Sequence, residues 1–234
     1  MSGHAESRTA DRVVAVLDVG SVRNLGWWRT GPGGSTGGTD LALLVDLLVE
    51  DLEAGRPVAL GLEAPLFIPA ADTADRIGRQ RVGEAGRPWC AGAGTTALAF
   101  GIQEAAFLAR RIAARTTRSP RAGVDPAAFL DGALDLLVFE AFVSGGAKDR
   151  AATDSHVTDA HAAAEEFVRR SAVGAVSSDI AEPAVLNLAA AALLAAGLAD
   201  DVGLLSAPCV VVKAPVRDRS TGVAGTVAAP VRER

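Results

Sequence analysis

The chain has 234 residues, of which 49% are hydrophobic, so it is long and apolar enough for one large domain with a substantial core. The formal net charge of −5 at pH 7 excludes a uniformly basic protein that coats nucleic acid, although a local basic patch is compatible with it. The two cysteines match no metal or redox spacing, and the polar N-terminus lacks a signal-peptide pattern, so we expect a cytoplasmic protein.

The first part of the chain predicts an antiparallel hairpin and then a crossover to a parallel strand. An apolar run predicts a strand over 13–19, and residues 24–30 predict a second strand antiparallel to it. The glycine-rich segment 31–38 predicts a loop with a short third strand. Apolar residues at helical spacing predict a helix over 41–54, and the strand at 58–63 closes a unit compatible with a right-handed crossover.

The rest of the chain begins with a long irregular segment and then alternates helices with strands. Residues 64–94 are rich in glycine and proline, and a loop of this length in a compact domain usually has a function or moves. The later apolar patterns predict, in order, helix 95–117, strand 134–142, helix 156–170, helix 184–199 and strand 209–213. The helix over 184–199 is shorter than the roughly 20 residues that span a bilayer, so we expect a core helix and no membrane contact.

This order of elements predicts an α/β fold. An antiparallel β-hairpin comes first and strand–helix alternation follows, which is typical of a mixed sheet with parallel strands and helices on both faces. We expect a single domain over residues 1–213 and a flexible C-terminal tail over residues 214–234.

Three of the predicted strands end on a carboxylate, at Asp18, Glu63 and Glu140. Because the carboxyl ends of parallel strands meet at one edge of a sheet, these acids would repel one another unless a cation or a shared proton offsets the repulsion. Asp159 adds a fourth carboxylate near the start of a later helix, and His156 lies three residues earlier on the same helical face. The pattern predicts a divalent-metal site.

Each of these residues also has an ordinary explanation. Any one acid could be a polar residue at the point where a strand meets water, and Asp159 could be a first-turn acid favoured by the helix dipole. For His156, helix capping or simple exposure is the simpler role. The joint placement of acids on three strands and a helix is what favours a site.

The element order and the four acids together resemble the RNase H-like superfamily, which includes RuvC-type resolvases. The run from Asp18 to Ser21 is similar to the first-strand aspartate motif, Glu63 to the acid at the end of the fourth strand, and Asp159 to the final-helix acid. More narrowly, Glu63-Ala64-Pro65-Leu66 and Phe139-Glu140-Ala141-Phe142 resemble an uncharacterised family of predicted RuvC-like nucleases. The resemblance spans about residues 13–170, and this chain has Glu63 where an aspartate is common.

The resemblance implies an RNase H-like mixed sheet and a nuclease that hydrolyses phosphodiester bonds of nucleic acid with two Mg²⁺ or Mn²⁺ ions. Carboxylate oxygens suit such hard cations. Asp18 would bridge both ions, while Glu63 and Asp159 would each hold one. Glu140 would be a fourth ligand or would position a neighbour, and His156 would orient water or stabilise charge in the transition state.

Basic and aromatic residues provide the candidate contacts to a nucleic-acid substrate. They are Arg76, Arg79, Arg81, Arg87 and Trp89 in the segment 64–94, with Lys148 after a later glycine break. Arginine positions a phosphate backbone and tryptophan stacks on bases. A second arginine group over 105–124 could bind phosphate, or could equally be a solvated helix face paired with acids near Asp46.

Two other interpretations use the same fold. Actin-like ATPases and sugar kinases also open with an Asp-x-Gly strand, but the chain is short for their duplicated domain, and Gly31-Pro32-Gly33-Gly34 lacks the lysine of a phosphate loop. A non-catalytic binding or scaffold protein, as a homodimer through alanine-rich helices, would keep the fold without the chemistry. A retained metal site would separate the nuclease from the scaffold.

Overall fold

The apolar runs of the sequence form the strands of a mixed sheet in the computed structural model, which describes residues 11–84, 88–143 and 155–215. The strands are β1 (Val13–Asp18), β2 (Gly26–Gly31), β3 (Gly34–Gly38), β4 (Val58–Leu62), β5 (Phe67–Pro69), β6 (Ala122–Gly123), β7 (Leu136–Val143), β8 (Val185–Asn187) and β9 (Val211–Ala214). The α-helices are α1 (Leu41–Glu53), α2 (Gly92–Arg115), α3 (Pro126–Leu130), α4 (Ser155–Ala172) and α5 (Leu188–Ala195). Short 3₁₀ turns lie at Ala74–Arg76 and Val202–Ser206.

The main sheet has the strand order β3-β2-β1-β4-β7, and both β6 and β9 pair with the far side of β7. The first three strands are antiparallel neighbours, whereas β1, β4 and β7 run parallel to one another. This confirms the predicted α/β fold with an antiparallel hairpin joined to parallel strands. Strands β5 and β8 form a separate antiparallel pair that the sequence patterns did not predict.

Helices cover both faces of the sheet, as the alternation along β1 makes clear. Val13, Ala15 and Leu17 pack into one apolar core with α1, α2 and α5. Val14 and Val16 point the other way and pack into a second core with α4. Since successive side chains of a strand alternate between the two faces of the sheet, Asp18 at the end of β1 points to the same face as Val14 and Val16.

Helix α4 lies very close to the hairpin because small residues stand at the contact. Ala160, Ala163 and Ala164 are fully buried in the core that α4 shares with the sheet. A Cβ atom added to Gly26 of β2 would come within 2.5 Å of the backbone nitrogen of Val157. The glycine therefore permits the approach that brings the first turns of α4 to the end of β1.

The predicted helix over 184–199 is shorter in the structure, because its first residues form β8. The side chain of Asn187 accepts a hydrogen bond from the backbone nitrogen of Ala190 at 2.9 Å, so Asn187 caps α5 from outside the helix. None of the helices in the described ranges is long and apolar enough to cross a membrane. The predicted tail lies outside the described residues from residue 216 onward.

Candidate metal centre

Three of the four predicted acids meet at the carboxyl ends of β1 and β4. Asp18, Glu63 and Asp159 each place a carboxylate oxygen within 4.8 Å of the oxygens of the other two. Asp18 and Asp159 are each only 4% exposed, and Glu63 is partly buried. The structure thus brings residues together that are 45 to 141 positions apart in the sequence.

Strand pairing places Asp18 and Glu63 side by side. Leu17 of β1 pairs with Leu62 of β4, and the backbone nitrogen of Glu63 donates to the carbonyl oxygen of Leu17 at 2.8 Å. The next residue on each strand is therefore at the same level. Asp18 shares a face with Val16, and Glu63 shares that face with Ala59, so both carboxylates point toward α4.

Helix α4 supplies the third carboxylate and a histidine from one face. Asp159 and His156 are three residues apart, which places them on neighbouring turns of the same side. The Nδ1 atom of His156 lies 2.6 Å from Oδ2 of Asp18. This contact restrains the orientation of the Asp18 carboxylate.

The cluster can hold a divalent cation. Two ligand oxygens on opposite sides of a Mg²⁺ ion are about 4.2 Å apart, so oxygens within 4.8 Å need only small side-chain rotations to bind one ion. Buried carboxylates at this spacing repel one another, and a cation offsets that repulsion. The donor set is all oxygen, which suits hard cations rather than soft ones.

Glu140 does not belong to this cluster, and the structure corrects its prediction as a metal ligand and catalytic residue. Glu140 pairs in register with Leu62, so it points to the opposite face from Glu63. It is fully buried, and each of its carboxylate oxygens accepts a hydrogen bond from Arg81 at 2.7 Å. Burial raises the pKa of Glu140, while Arg81 and the backbone nitrogen of Leu66 oppose that rise.

Arg81 is a structural residue, which corrects its prediction as a substrate contact. Its side chain is fully buried and forms ion pairs with both Glu84 and Glu140. Its guanidinium also lies 4.6 Å from the ring centre of Phe67. Burial lowers the pKa of Arg81, but the two glutamates outweigh this effect and hold it above its ordinary value.

The other predicted substrate contacts are dispersed. Arg79 pairs with the buried carboxylate of Glu182, and the indole nitrogen of Trp89 donates to the carbonyl oxygen of Arg79 at 2.9 Å. Arg76 is exposed, with Asp72 at 3.7 Å. Arg87 and Lys148 lie outside the described residues. In the second arginine group, Arg115 pairs with Asp46 of α1, as the helix-face alternative predicts.

Sequence reasoning missed Glu104, a buried acid close to the candidate metal centre. Glu104 lies on α2, is 7% exposed, and accepts a hydrogen bond at 3.3 Å from the backbone nitrogen of Gly20, two residues after Asp18. Its second oxygen, Oε2, is buried without a hydrogen-bond partner among the described residues. Burial raises its pKa to about 7, although the hydrogen bond from Gly20 opposes the rise. The helical periodicity of the sequence could have indicated the burial of Glu104, since this residue lies on the apolar face of α2 with Ala105 and Leu108.

The raised pKa predicts that Glu104 makes folding stability depend on pH. Between its ordinary value of 4.5 and about 7, the folded protein binds a proton that the unfolded chain releases, so stability falls as pH rises through this window. Glutamine cannot ionise. We therefore expect the free energy of unfolding of Glu104→Gln, relative to wild type, to rise from about pH 5 to about pH 8.

Urea unfolding at the two pH values measures this difference. Glu165→Gln on α4 is the control, because the Glu165 side chain is 62% exposed. A difference between Glu104→Gln and wild type that is equal at both pH values would contradict the assignment.

Comparison with known proteins does not place the chain in a family. No protein-family model, curated protein or solved structure matches it. The chemistry therefore follows from the residues themselves: three converging carboxylates at a sheet edge, with a histidine that restrains one of them, form a candidate centre for a divalent metal ion.

Proposed function

We propose that the protein is a metal-dependent nuclease with an RNase H-like fold, which hydrolyses phosphodiester bonds of nucleic acid by a two-metal mechanism. The observation that carries the proposal is the convergence of Asp18, Glu63 and Asp159 within 4.8 Å. Asp18 and Asp159 are each only 4% exposed, and a cation bound between the three acids would offset their mutual repulsion.

The arrangement of strands supports the RNase H-like part of the proposal. The resemblance places acids on the first strand, on the fourth strand and on a later helix. Here β1 and β4 are parallel neighbours with their acids at one level, and α4 crosses over that end. The glycines after β2 form its tight turn into β3, with φ of 90° at Gly33 and 108° at Gly34, so this segment is a hairpin turn rather than a phosphate-binding loop before a helix.

The ions of the proposal are Mg²⁺ or Mn²⁺, hard cations for which carboxylate oxygens are suitable ligands. Bound there, such ions would activate water and stabilise the leaving oxygen of a phosphodiester. Asp18 lies between the other two elements and would contact both ions, while Glu63 and Asp159 would each hold one. His156 would keep the Asp18 carboxylate in its binding orientation through the 2.6 Å contact.

A cleavage assay tests the proposal directly. We expect purified protein to cut at least one of single-stranded, duplex, hybrid and branched substrates with Mg²⁺ or Mn²⁺, and to stop when the metal is chelated. Asp159→Asn removes a proposed ligand and should lower the rate by more than about 100-fold, beyond the loss typical of an outer hydrogen-bond partner.

Glu165→Gln is the matched control, because it changes an exposed carboxylate on the same helix. Its cleavage rate should equal that of wild type. Absence of cleavage across the whole substrate panel by folded protein would overturn the proposal and favour a non-catalytic scaffold.

A further inference from the structure

Strand β3 ends the main sheet on one side, and its outer edge pairs with no other strand of the described residues. Its five residues, Gly34–Gly38, include no charged residue and no proline, and the first three are exposed. Sheets usually protect such an edge with a charge, a proline or a covering segment, because free backbone groups there can pair with another strand. The sequence of β3 provides neither a charge nor a proline.

The hairpin turn determines which backbone groups of β3 point outward. Gly31 and Gly34 face each other across a two-residue turn, which makes them a hydrogen-bonded pair. Hydrogen-bonded and non-hydrogen-bonded pairs alternate along an antiparallel ladder. Ser35 and Gly37 therefore occupy non-hydrogen-bonded positions opposite β2, and their N–H and C=O groups point away from the sheet at its edge.

A second copy of the same edge matches these groups. In an antiparallel pair of β3 strands centred on Thr36, Ser35 of one copy stands opposite Gly37 of the other, and the two residues exchange both of their backbone hydrogen bonds. The two-fold axis repeats this exchange on the other side of Thr36. Thr36 then faces Thr36 of the second copy, and such a cross-strand threonine pair favours association.

Helix α1 carries an apolar row on the flank nearest β3. Asp51 pairs with Arg29 of β2, so this side of α1 faces the hairpin. Leu47 and Leu43 precede Asp51 by four and eight residues and continue the same row. Leu43 is 47% exposed, and Leu47 is partly buried. An axis through Thr36 perpendicular to the sheet keeps both α1 helices on one face, so the two apolar rows face each other across it.

The charge pattern at this edge also favours a second copy. Residues 30–39 include no charged side chain, although the whole chain has a formal net charge of −5. Like charges directly opposite each other on paired strands are destabilising, and this edge has none to bring together. A highly charged partner such as nucleic acid would find no side chain there with which to form an ion pair.

We infer that two copies of the chain associate through their β3 edges, as an isologous dimer with one continuous sheet and the two-fold axis at Thr36. The inference goes beyond the proposed nuclease function and does not depend on it. The contact differs from a homodimer through alanine-rich helices, because it lies at the edge of the sheet. Since the axis reverses the direction of β1, the two clusters of Asp18, Glu63 and Asp159 lie at opposite ends of the joined sheet.

Sedimentation velocity and amide hydrogen exchange of the full chain test the inference together. We expect a monomer–dimer equilibrium with a midpoint between about 1 µM and about 1 mM, and slower exchange of the Ser35 and Gly37 amides as concentration rises. Thr36→Lys places two ammonium groups opposite each other at the axis and should weaken the dimer by at least about tenfold. Leu43→Ser should weaken it by about threefold or more.

Thr73→Lys is the matched control, because it makes the same change at an exposed threonine outside the main sheet, and it should dimerise like wild type. Thr36 is exposed too, so Thr36→Lys should melt like wild type in dilute solution, and its loss of the dimer then reports the contact rather than unfolding.

Three results would overturn the inference. One is a wild type that stays monomeric up to about 1 mM. Another is a dimer whose formation leaves the exchange of the Ser35 and Gly37 amides unchanged, because its interface then lies elsewhere. The third is protection of these two amides that is already complete in the dilute monomer, because the chain then covers its own edge.

Discussion

Replacing Asp18 by asparagine is expected to weaken Mn²⁺ binding by more than about 100-fold and to remove metal-dependent cleavage with it. Asp18 is the central acid of the cluster, since it lies beside Glu63 on the neighbouring strand and contacts His156 on α4. Asparagine keeps the size and one oxygen but loses the negative charge. Titration calorimetry with Mn²⁺ measures the change in affinity.

The same substitution is expected to leave the metal-free protein at least as stable as wild type. Three carboxylates within 4.8 Å repel one another, and removing one charge relieves that repulsion, which offsets the weaker contact of the neutral amide with His156. Loss of metal binding together with an unchanged or raised melting temperature therefore identifies a ligand rather than a misfolded protein.

Glu50→Gln is the control for Asp18→Asn, because the Glu50 side chain is 75% exposed on α1. It should bind Mn²⁺ like wild type. Affinity of Asp18→Asn within threefold of wild type (less than about 1 kcal/mol) would remove Asp18 from the metal site.

The three acid-ended strands that looked equivalent in the sequence are not equivalent in the fold. All three acids directly follow the apolar residues of their strands, but they differ in the face to which they point. Asp18 and Glu63 point to the face covered by α4, whereas Glu140 pairs with Leu62 and points to the other face. Strands buried on both faces have no polar alternation, so the sequence does not reveal their register. A shift of one residue between β4 and β7 would have reversed the side of Glu140.

Local patterns predicted the elements better than they predicted their partners. The hairpin, the crossover to β4 and helix α4 follow from apolar periodicity and glycine positions, and all of them form. The predicted start of the helix at residue 184 was wrong, because Asn187 caps α5 three residues later, within the apolar segment. Pairings such as Arg81 with Glu140 join residues 59 positions apart, and no local pattern specifies them.

Replacing Arg81 by alanine is expected to destabilise the fold by about 3–5 kcal/mol, the cost of breaking a buried ion pair and leaving its partners unpaired. Glu140 and Glu84 would both lose a cation, and both lie in the interior. Arg76→Ala is the matched control in the same segment, because Arg76 is exposed and its change should stay within about 0.5 kcal/mol. Urea unfolding of the two variants measures the difference.

Removing the charge on both sides distinguishes a pairing requirement from simple loss of volume. The triple variant Arg81→Met/Glu84→Gln/Glu140→Leu removes the guanidinium together with both of its buried carboxylate partners, and it should recover a large part of the stability lost in Arg81→Ala. A loss of less than about 1 kcal/mol in the free energy of unfolding for Arg81→Ala is typical of an exposed ion pair and would contradict this structural role of Arg81. Since Leu66, three residues after Glu63, also donates its backbone hydrogen to Glu140, the buried pair anchors the chain that leaves the cluster of Asp18, Glu63 and Asp159. Glu140 thus supports the site from the opposite face of the sheet, as an anchor for the backbone that follows Glu63.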